Sequence, residues 1–416
     1  MTSGIDHLSC LRCEAKYPPA FPIDSRGCPR CAATAPANLR PAYNCDWPGD
    51  ETGRRSIPSM WRYHGMLPIE ESAIVSLGEG LTPLSQATRL GAQLGVAKLL
   101  LKDESRNPTG SHKDRFSAVF ASYAKQRGFS TIATASSGNA GASLAAYAAH
   151  AGLRCVVSTF KGGPAPMLAQ IRAFAATVMP FEKKLDRWRF LAEGWERHGW
   201  LIASPFAAPV IGSHPIGIEG YKTIAFEIAE QLNGEDLQWC ALPVCYGDAL
   251  SGIWEGFRQA YDIGLIRRVP RLIAAEVYGS LEAALSSKSD RVPSMARQFD
   301  TAALSIGATQ SSFQALRALR QSEGVACPVS NHRLVEIQKD LARLEGTFAE
   351  LSAVAPLVAI DTLRKTGVIH PSDNVTAVIT ASGLKDFDIS QPTGADETAY
   401  STPSVAWRDI KQTAVA

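Results

Sequence analysis

An α/β architecture built on parallel sheets is the fold class this sequence predicts, on three observations. Short aliphatic and β-branched runs at 98–102, 131–135, 155–159, 242–245, 272–277 and 375–380 read as strands apolar on both faces. Helix-periodic segments at 140–151, 167–176, 221–232 and 253–261 follow most of them. The chain has 416 residues, 45% of them hydrophobic, which is enough to fill two cores. Strands buried on both faces and alternating with helices need helical cover above and below, the arrangement parallel sheets supply.

The N-terminal part departs from that pattern. Cys10, Cys13, Cys28 and Cys31 form two C-x-x-C pairs with fourteen residues between them, and Pro18, Pro19, Pro22 and Gly27 lie in the interval. Such spacing can set four thiolates tetrahedrally around a structural zinc in a small ribbon, since so short a segment has little core of its own. Buried or redox-active thiols are the plainer alternative. Cys45, Cys155, Cys240, Cys245 and Cys327 are scattered in apolar contexts and read as packing residues.

Composition narrows the partners. A net charge of +2 without a basic block gives no case for nucleic acid. No apolar run reaches bilayer-spanning length, and no charged start precedes an apolar core, so the expectation is a cytoplasmic protein without a membrane partner. Nine cysteines, an odd number, do not suggest a secreted disulfide framework.

Function is concentrated in a few turns. Residues 107–115, N-P-T-G-S-H-K-D-R, fix a turn with Pro108 and Gly110 and offer Ser111 as an N-cap for the helix that follows. Lys113 then sits at the positive end of a helix dipole, which favours the neutral amine needed to bond an aldehyde. The run 131–145 reads as strand, tight turn at Gly138 and helix. The turn's amides and the hydroxyls of Ser136 and Ser137 suit a carboxylate. Segment 244–257, V-C-Y-G-D-A-L-S-G-I-W-E-G-F, again places a glycine turn between strand and helix.

Four motifs occur in order: 77–84 (L-G-E-G-L-T-P-L), 107–115, S-S-G-N at 136–139, and T-A-S-G-L-K-D at 380–386. Together they resemble the threonine synthase branch of the pyridoxal-phosphate enzymes of fold type II. That resemblance implies two three-layer parallel-sheet domains with the cofactor in the cleft between them, preceded by a zinc ribbon. The division it suggests is ribbon 1–40, connecting arm 41–95, smaller domain 96–205 with the lysine, larger domain 206–390 with the phosphate loop, and polar tail 391–416. It further implies that Lys113 bonds pyridoxal 5'-phosphate covalently and acts as general base. Asn139 would contact the cofactor's phenolic oxygen. Gly247, Asp248, Ala249 and Leu250 would hold its phosphate through backbone amides, with the Asp248 side chain turned away as a helix cap. Thr380, or less favourably Ser382, would face the ring nitrogen. Ser136, Ser137, Gly138, Asn139 and Ser204 would hold an amino-acid substrate, in a homodimer.

The implied activity is phosphate elimination from O-phosphohomoserine followed by water addition to give threonine. Two departures weigh against that substrate. Ala140 stands where the family has a phosphate-contacting threonine, and Gly217, in G-I-E-G-Y-K-T, where it has an arginine. Losing a bidentate arginine removes a strong anion contact. His112 stands in place of a phenylalanine, while Lys222 and His214 are the cations left nearby in sequence. The alternative is a β-eliminating ammonia-lyase or a β-replacing enzyme acting on another serine- or threonine-like amino acid.

Overall fold

A computed structural model describes residues 4–47 and 57–385, together with Ser404. The chain divides into units Met1–Asp386 and Phe387–Ala416, and the fold below is that of the first. The tail expected at 391–416 lies outside the described residues apart from Ser404.

The chain opens with three antiparallel strands, β1 (Ile5–Cys10), β2 (Lys16–Tyr17) and β3 (Leu39–Tyr43), in the order β2-β1-β3. Their core is Leu8, Cys10, Cys28, Cys31, Ala37 and Leu39, too little apolar matter for independent stability. Strand β3 pairs with β1 from Cys10↔Leu39 to Ile5↔Tyr43, so the ribbon runs past the boundary expected at residue 40. In the arm that follows, Trp61 and Tyr63 are fully buried, and Trp47 packs edge-on against Phe226 at 5.4 Å.

Two further sheets carry the body. β4 (Leu84–Gln86), β5 (Lys98–Asp103), β10 (Trp239–Pro243), β11 (Arg271–Glu276), β12 (Val325–Pro328) and β13 (Asn374–Ile379) form one. β6 (Thr131–Ala135), β7 (Arg154–Phe160), β8 (Thr177–Phe181) and β9 (Leu201–Ile202) form the other. The orders are β12-β11-β10-β13-β5-β4 and β8-β7-β6-β9, parallel throughout except for β4 against β5. Helices such as Asn139–Ala151, Lys222–Gln231 and Ala355–Lys365 cover them. Among the described residues no helix is long and apolar enough to cross a membrane.

One expectation fails here. Strand 98–103 was assigned to the smaller domain with the lysine, yet it lies in the larger sheet. It pairs with β13 from Lys98↔Asn374 to Asp103↔Ile379. Its alternation explains why the site suits it: Leu99 and Leu101 enter one core while Leu100 enters the other. The segment 84–86, expected in the arm, closes the edge of the same sheet. The helix Lys113–Gln126 therefore leaves the larger sheet and leads into the smaller one, with Asp114 through Ala124 buried without a break.

One apolar cluster holds residues of both sheets, and beside it a buried ionic cluster forms around Arg115 of this helix. Arg115 is fully buried and clamps two carboxylates. Nε and Nη2 donate to Glu104 at 2.6 and 2.7 Å, and Nη1 and Nη2 to Glu227 at 2.6 and 2.8 Å. Nη1 also donates to Thr223 Oγ1 at 2.9 Å. Lys102 Nζ completes the charge balance, donating to Glu227, Thr82 O and Gln231. Burial alone would raise the Glu227 carboxyl, but Arg115 and Lys102 outweigh it and hold the group at about 2. The motif 77–84 wraps this cluster: Leu81 N and Thr82 N donate to Glu227, and Gly80 N to Asn107. Gly80 has φ of 95°, and a Cβ there would lie 2.7 Å from Met60 N and Cβ.

Removing one partner of a buried pair leaves the others unbalanced. Arg115→Met is expected to cost about 3–5 kcal/mol in chemical denaturation. Glu227 has a depressed folded value, so its contribution is complete above the unfolded value of about 4.3 and is lost as pH falls toward about 2. The native protein should show that acid-side loss, and a Glu227→Gln variant should not. Superimposable acid profiles of the two would refute the assignment.

Candidate active site

The lysine is held by stitching on both sides. Ahead of it, Gly110 N closes a turn on Asn107 O at 2.8 Å, with Gly110 at φ of 77°. Ser111 bridges to Ala381, and His112 N donates to Thr380 O at 2.9 Å. Behind it, Asp114 accepts from Thr109 N at 2.7 Å and from Thr109 Oγ1 at 2.5 Å. Lys113 is thus fixed against the carboxyl end of β13. The helix begins at Lys113 itself with His112 as its cap, and no side chain caps it. Ser111 was expected in that role. Its backbone is taken by the bridge to Ala381, and its buried Oγ has no partner among the described residues.

Lys113 Nζ donates to Tyr221 Oη at 3.3 Å. Burial disfavours its ammonium, but Tyr221, Asp248 and Cys245 more than compensate and raise the amine above its ordinary range. The neutral amine expected from the helix dipole is therefore not what these surroundings favour. Tyr221 is itself pushed up to about 12 by burial, against the pull of Lys113. His112 is held well below its ordinary range by burial and by Lys113, hence neutral.

Three other loop ends lie at the carboxyl ends of strands, where open α/β sheets take ligands. After β6, Ser136 Oγ accepts from Gly138 N at 3.2 Å, and Ser204 Oγ accepts from Ala135 N at 2.8 Å. Ser137 and Ala140 are half-buried in the same turn. Asn139 opens the next helix and donates Nδ2 to Glu350 Oε2 at 2.6 Å, while its buried Oδ1 has no partner among the described residues. After β10, Gly247 caps the helix Asp248–Asp262 at φ of 81°, and a Cβ there would stand 2.2 Å from Ala315 Cβ. The first bond within that helix is Ser251 N to Gly247 O, which leaves the amides of Asp248, Ala249 and Leu250 for an anion. The Asp248 carboxylate, expected as a helix cap, does not serve as one. It accepts from Ser213 N and Oγ and from Gln314 Nε2 at 3.0, 2.6 and 2.6 Å. After β13, Thr380 is buried with its carbonyl against His112, and Ser382 N donates to Gly110 O at 3.0 Å.

Two contributors escaped the sequence reading, Tyr221 and Glu350. Tyr221 stood inside the G-I-E-G-Y-K-T run as an aromatic beside a lysine, which was the only signal it gave. Glu350 is buried, shared between Asn139 and Ser305, and had no motif around it.

The expected spare cations do not serve. Lys222 pairs with Glu219 at 2.7 Å and donates to Tyr43, so its charge is spent elsewhere. His214 packs between Phe120 and Tyr123 and is pushed down to about 3 by burial, so it stays neutral. At Gly217 a Cβ would come within 2.5 Å of the Phe116 ring. An arginine there would have to displace that ring.

In the ribbon, the sulfurs of Cys10, Cys13, Cys28 and Cys31 all lie within 4.8 Å of one another. Arg12 N and Cys13 N point at Cys10 Sγ from 3.3 and 3.5 Å.

With this geometry in view, a family model of pyridoxal-phosphate-dependent enzymes matches residues 75–381. The threonine synthase of Methanocaldococcus jannaschii is 35% identical over 348 residues, covering 82% of this chain and 84% of the relative. That of Methanosarcina acetivorans is 32% identical and covers 91% and 92%. The chain belongs to the threonine synthase branch of the pyridoxal-phosphate-dependent enzymes. Its fold matches the processed threonine deaminase isoform 2 of Solanum lycopersicum, with a TM-score of 0.65, 19% identity, and 83% and 88% of the chains covered. Maize serine racemase gives 0.63 at 19% identity, with 80% and 92% covered. These likenesses fix the fold as α/β fold type II.

Asp114 offers a pH signature of the lysine turn. Burial pushes its carboxyl up to about 6 in spite of Thr109. A raised acid holds its proton in the folded state between the unfolded value of about 3.9 and about 6, so stability falls as pH rises through that window. The stability of Asp114→Asn relative to the native protein should therefore climb from pH 4 to pH 6 and be level outside it. Parallel profiles in urea titrations would refute this.

Proposed function

We propose that the protein is a pyridoxal-phosphate-dependent carbon–oxygen lyase that eliminates phosphate from O-phosphohomoserine and adds water to give threonine. The observation that carries the reading is Lys113. It is fixed against the end of β13, with Tyr221 Oη at 3.3 Å from its amine and the Asp248 carboxylate near enough to act on its charge. The residues fit the cofactor: a helix end with free amides for its phosphate, a primary amine for its aldehyde, and a buried amide oriented by Glu350. Bound pyridoxal phosphate supplies an electron sink for the substrate's α-carbon.

Every other task falls to the chain. The amides and hydroxyls of Ser136, Ser137, Gly138 and Asn139 bind the α-carboxylate and set the α-C–H direction, with Ser204 bracing the loop from β9. Glu350 takes one Nδ2 hydrogen of Asn139 and leaves the other for the cofactor's phenolic oxygen. Lys113 Nζ, once free, removes and returns the proton at the α-carbon, with Tyr221 Oη holding it in place. Thr380 offers a neutral hydroxyl at the ring nitrogen, which leaves that nitrogen without a fixed proton and suits elimination over transamination.

The Phe116 ring against Gly217 favours a second reading, β-elimination or β-replacement on an unphosphorylated serine- or threonine-like amino acid. Phosphate release from O-phosphohomoserine, set against ammonia release from serine and threonine, separates the two. Purified protein should absorb in the visible and bleach with borohydride. Lys113→Ala should lose the borohydride-stable link and at least about 10²-fold in turnover. A stable adduct surviving in that variant would refute the role of Lys113.

We also propose one structural zinc on Cys10, Cys13, Cys28 and Cys31. Four thiolates leave no open position, so the metal would hold the ribbon and take no part in the chemistry. Elemental analysis should find about one zinc per chain. Cys28→Ser should lose it and loosen the ribbon to proteolysis, while the visible spectrum at saturating cofactor persists. Metal retained at full occupancy in that variant would rule out the four-cysteine site.

A further inference from the structure

Lys385 has none of the roles above, yet its side chain lies beside the site. It ends the turn Gly383–Lys385 just after β13, on the larger sheet. Its ammonium donates to Gln170 Oε1 at 3.3 Å, on the helix Ala165–Ala173 of the smaller sheet. Its stem covers the lysine turn, since a Cβ on Gly110 would lie 3.1 Å from Lys385 Cε. The charges it feels belong to Asp114 and Glu350, and it acts in turn on His112. These flank Lys113, Asn139 and Thr380 respectively, which places the ammonium at the rim of the cofactor cluster.

This cation is poorly matched. An ammonium has three hydrogens to donate, and among the described residues the one polar contact is a long bond to a neutral amide. Neither nearby carboxylate forms an ion pair with it. Asp114 accepts from Thr109, and Glu350 accepts from Asn139 and Ser305. Burial lowers the lysine's proton affinity. A largely desolvated charge with no counter-charge in contact among the described residues is costly, and an anionic ligand would remove that cost. The cations considered above are engaged elsewhere: Lys222 is paired with Glu219, His214 is neutral, Arg115 and Lys102 belong to the buried cluster, and Gly217 is filled by Phe116.

We propose that Lys385 is the specificity-determining cation that reads an anionic group at the end of the substrate's side chain, in place of the arginine absent at Gly217. This rests on the cleft being a pyridoxal-phosphate amino-acid site. It binds an ω-anionic amino acid by charge, with Gln170 holding the ammonium ready from the opposite sheet.

The test measures binding rather than turnover. Calorimetric dissociation constants would be taken on holoenzyme for 2-amino-5-phosphonopentanoate, 2-aminoadipate and norvaline. The proteins are native, Lys385→Gln, Lys385→Arg and Arg187→Gln. Arg187 is the control because it too lacks a carboxylate partner among the described residues, donating Nε to Lys184 O and lying near Tyr246. Lys385→Gln is expected to weaken the phosphonate by about 10–100-fold, the range for a hydrogen bond to a charged group, with norvaline changed less than about twofold. Lys385→Arg should keep most of the preference. If Lys385→Gln weakens all three ligands alike, or keeps the phosphonate preference while Arg187→Gln loses it, the proposal falls and the phosphohomoserine reading survives. A native preference for aminoadipate over the phosphonate, abolished by Lys385→Gln, would uphold Lys385 and sink O-phosphohomoserine as substrate. A native protein that prefers neither anion over norvaline would overturn both.

Discussion

The rest of the structure depends on the buried clamp of Arg115 on Glu104 and Glu227. Each carboxylate comes from a different stretch of chain. Glu104 follows the strand shared with β13, and Glu227 lies on the helix Lys222–Gln231. Arg115 is two residues from Lys113 and on the same helix, so the guanidinium that ties these stretches together also fixes the rotation of the helix that presents the amine. All five guanidinium donors find oxygen, and two cations face two anions, which is the condition under which such a cluster can be buried at all. Hydrophobic residues of similar volume could fill the space but would not set the angle of the helix so narrowly.

That clamp also explains the motif 77–84, one of the four that carry the family resemblance. Gly80, Leu81 and Thr82 give their backbone amides to Asn107 and Glu227, and Glu79 accepts from Tyr147 at 2.7 Å. The segment is a collar around the charges. Of its two glycines, Gly80 is required because Met60 leaves no room for a side chain, and because the backbone there turns to positive φ. A family signature of this sort can come from the scaffold rather than from the site.

What was legible in the sequence was local. Apolar runs marked six of the ten strands in the two sheets, and a glycine between strand and helix marked two turns that lie at the carboxyl ends of parallel strands, while β4, β8, β9 and β12 went unread. What was not legible depended on distant partners. Strand 98–103 reads like any buried strand, and nothing local tells that it pairs with residues 374–379 rather than with the next strand, Thr131–Ala135. Tyr221 and Glu350 meet their partners across 108 and 211 residues. The missing arginine at Gly217 was visible as an absence. That Phe116 occupies the space was not, since ring and glycine come from separate helices. Ser111 looked like a cap because the residue type favours capping, but the bridge to Ala381 took its backbone and the helix began two residues later.

The ribbon looks remote from this chemistry, yet hydrogen bonds connect the two. Asn38, one residue before β3, donates to Ser213 O at 2.9 Å and to Gln314 Oε1 at 3.3 Å. Ser213 and Gln314 are the same residues that donate to the Asp248 carboxylate. A Cβ on Gly212 would press to 2.1 Å of Gln314 Nε2, so the chain must pass there without a side chain for the relay to form. The relay matters because a carboxylate facing the amides of Asp248, Ala249 and Leu250 would repel the dianion those amides suit. A ribbon with so small a core gains from docking on the body, and the body gains a buried amide that keeps one acidic side chain in place. The two parts thus stabilise each other through contacts that do not involve the four cysteines.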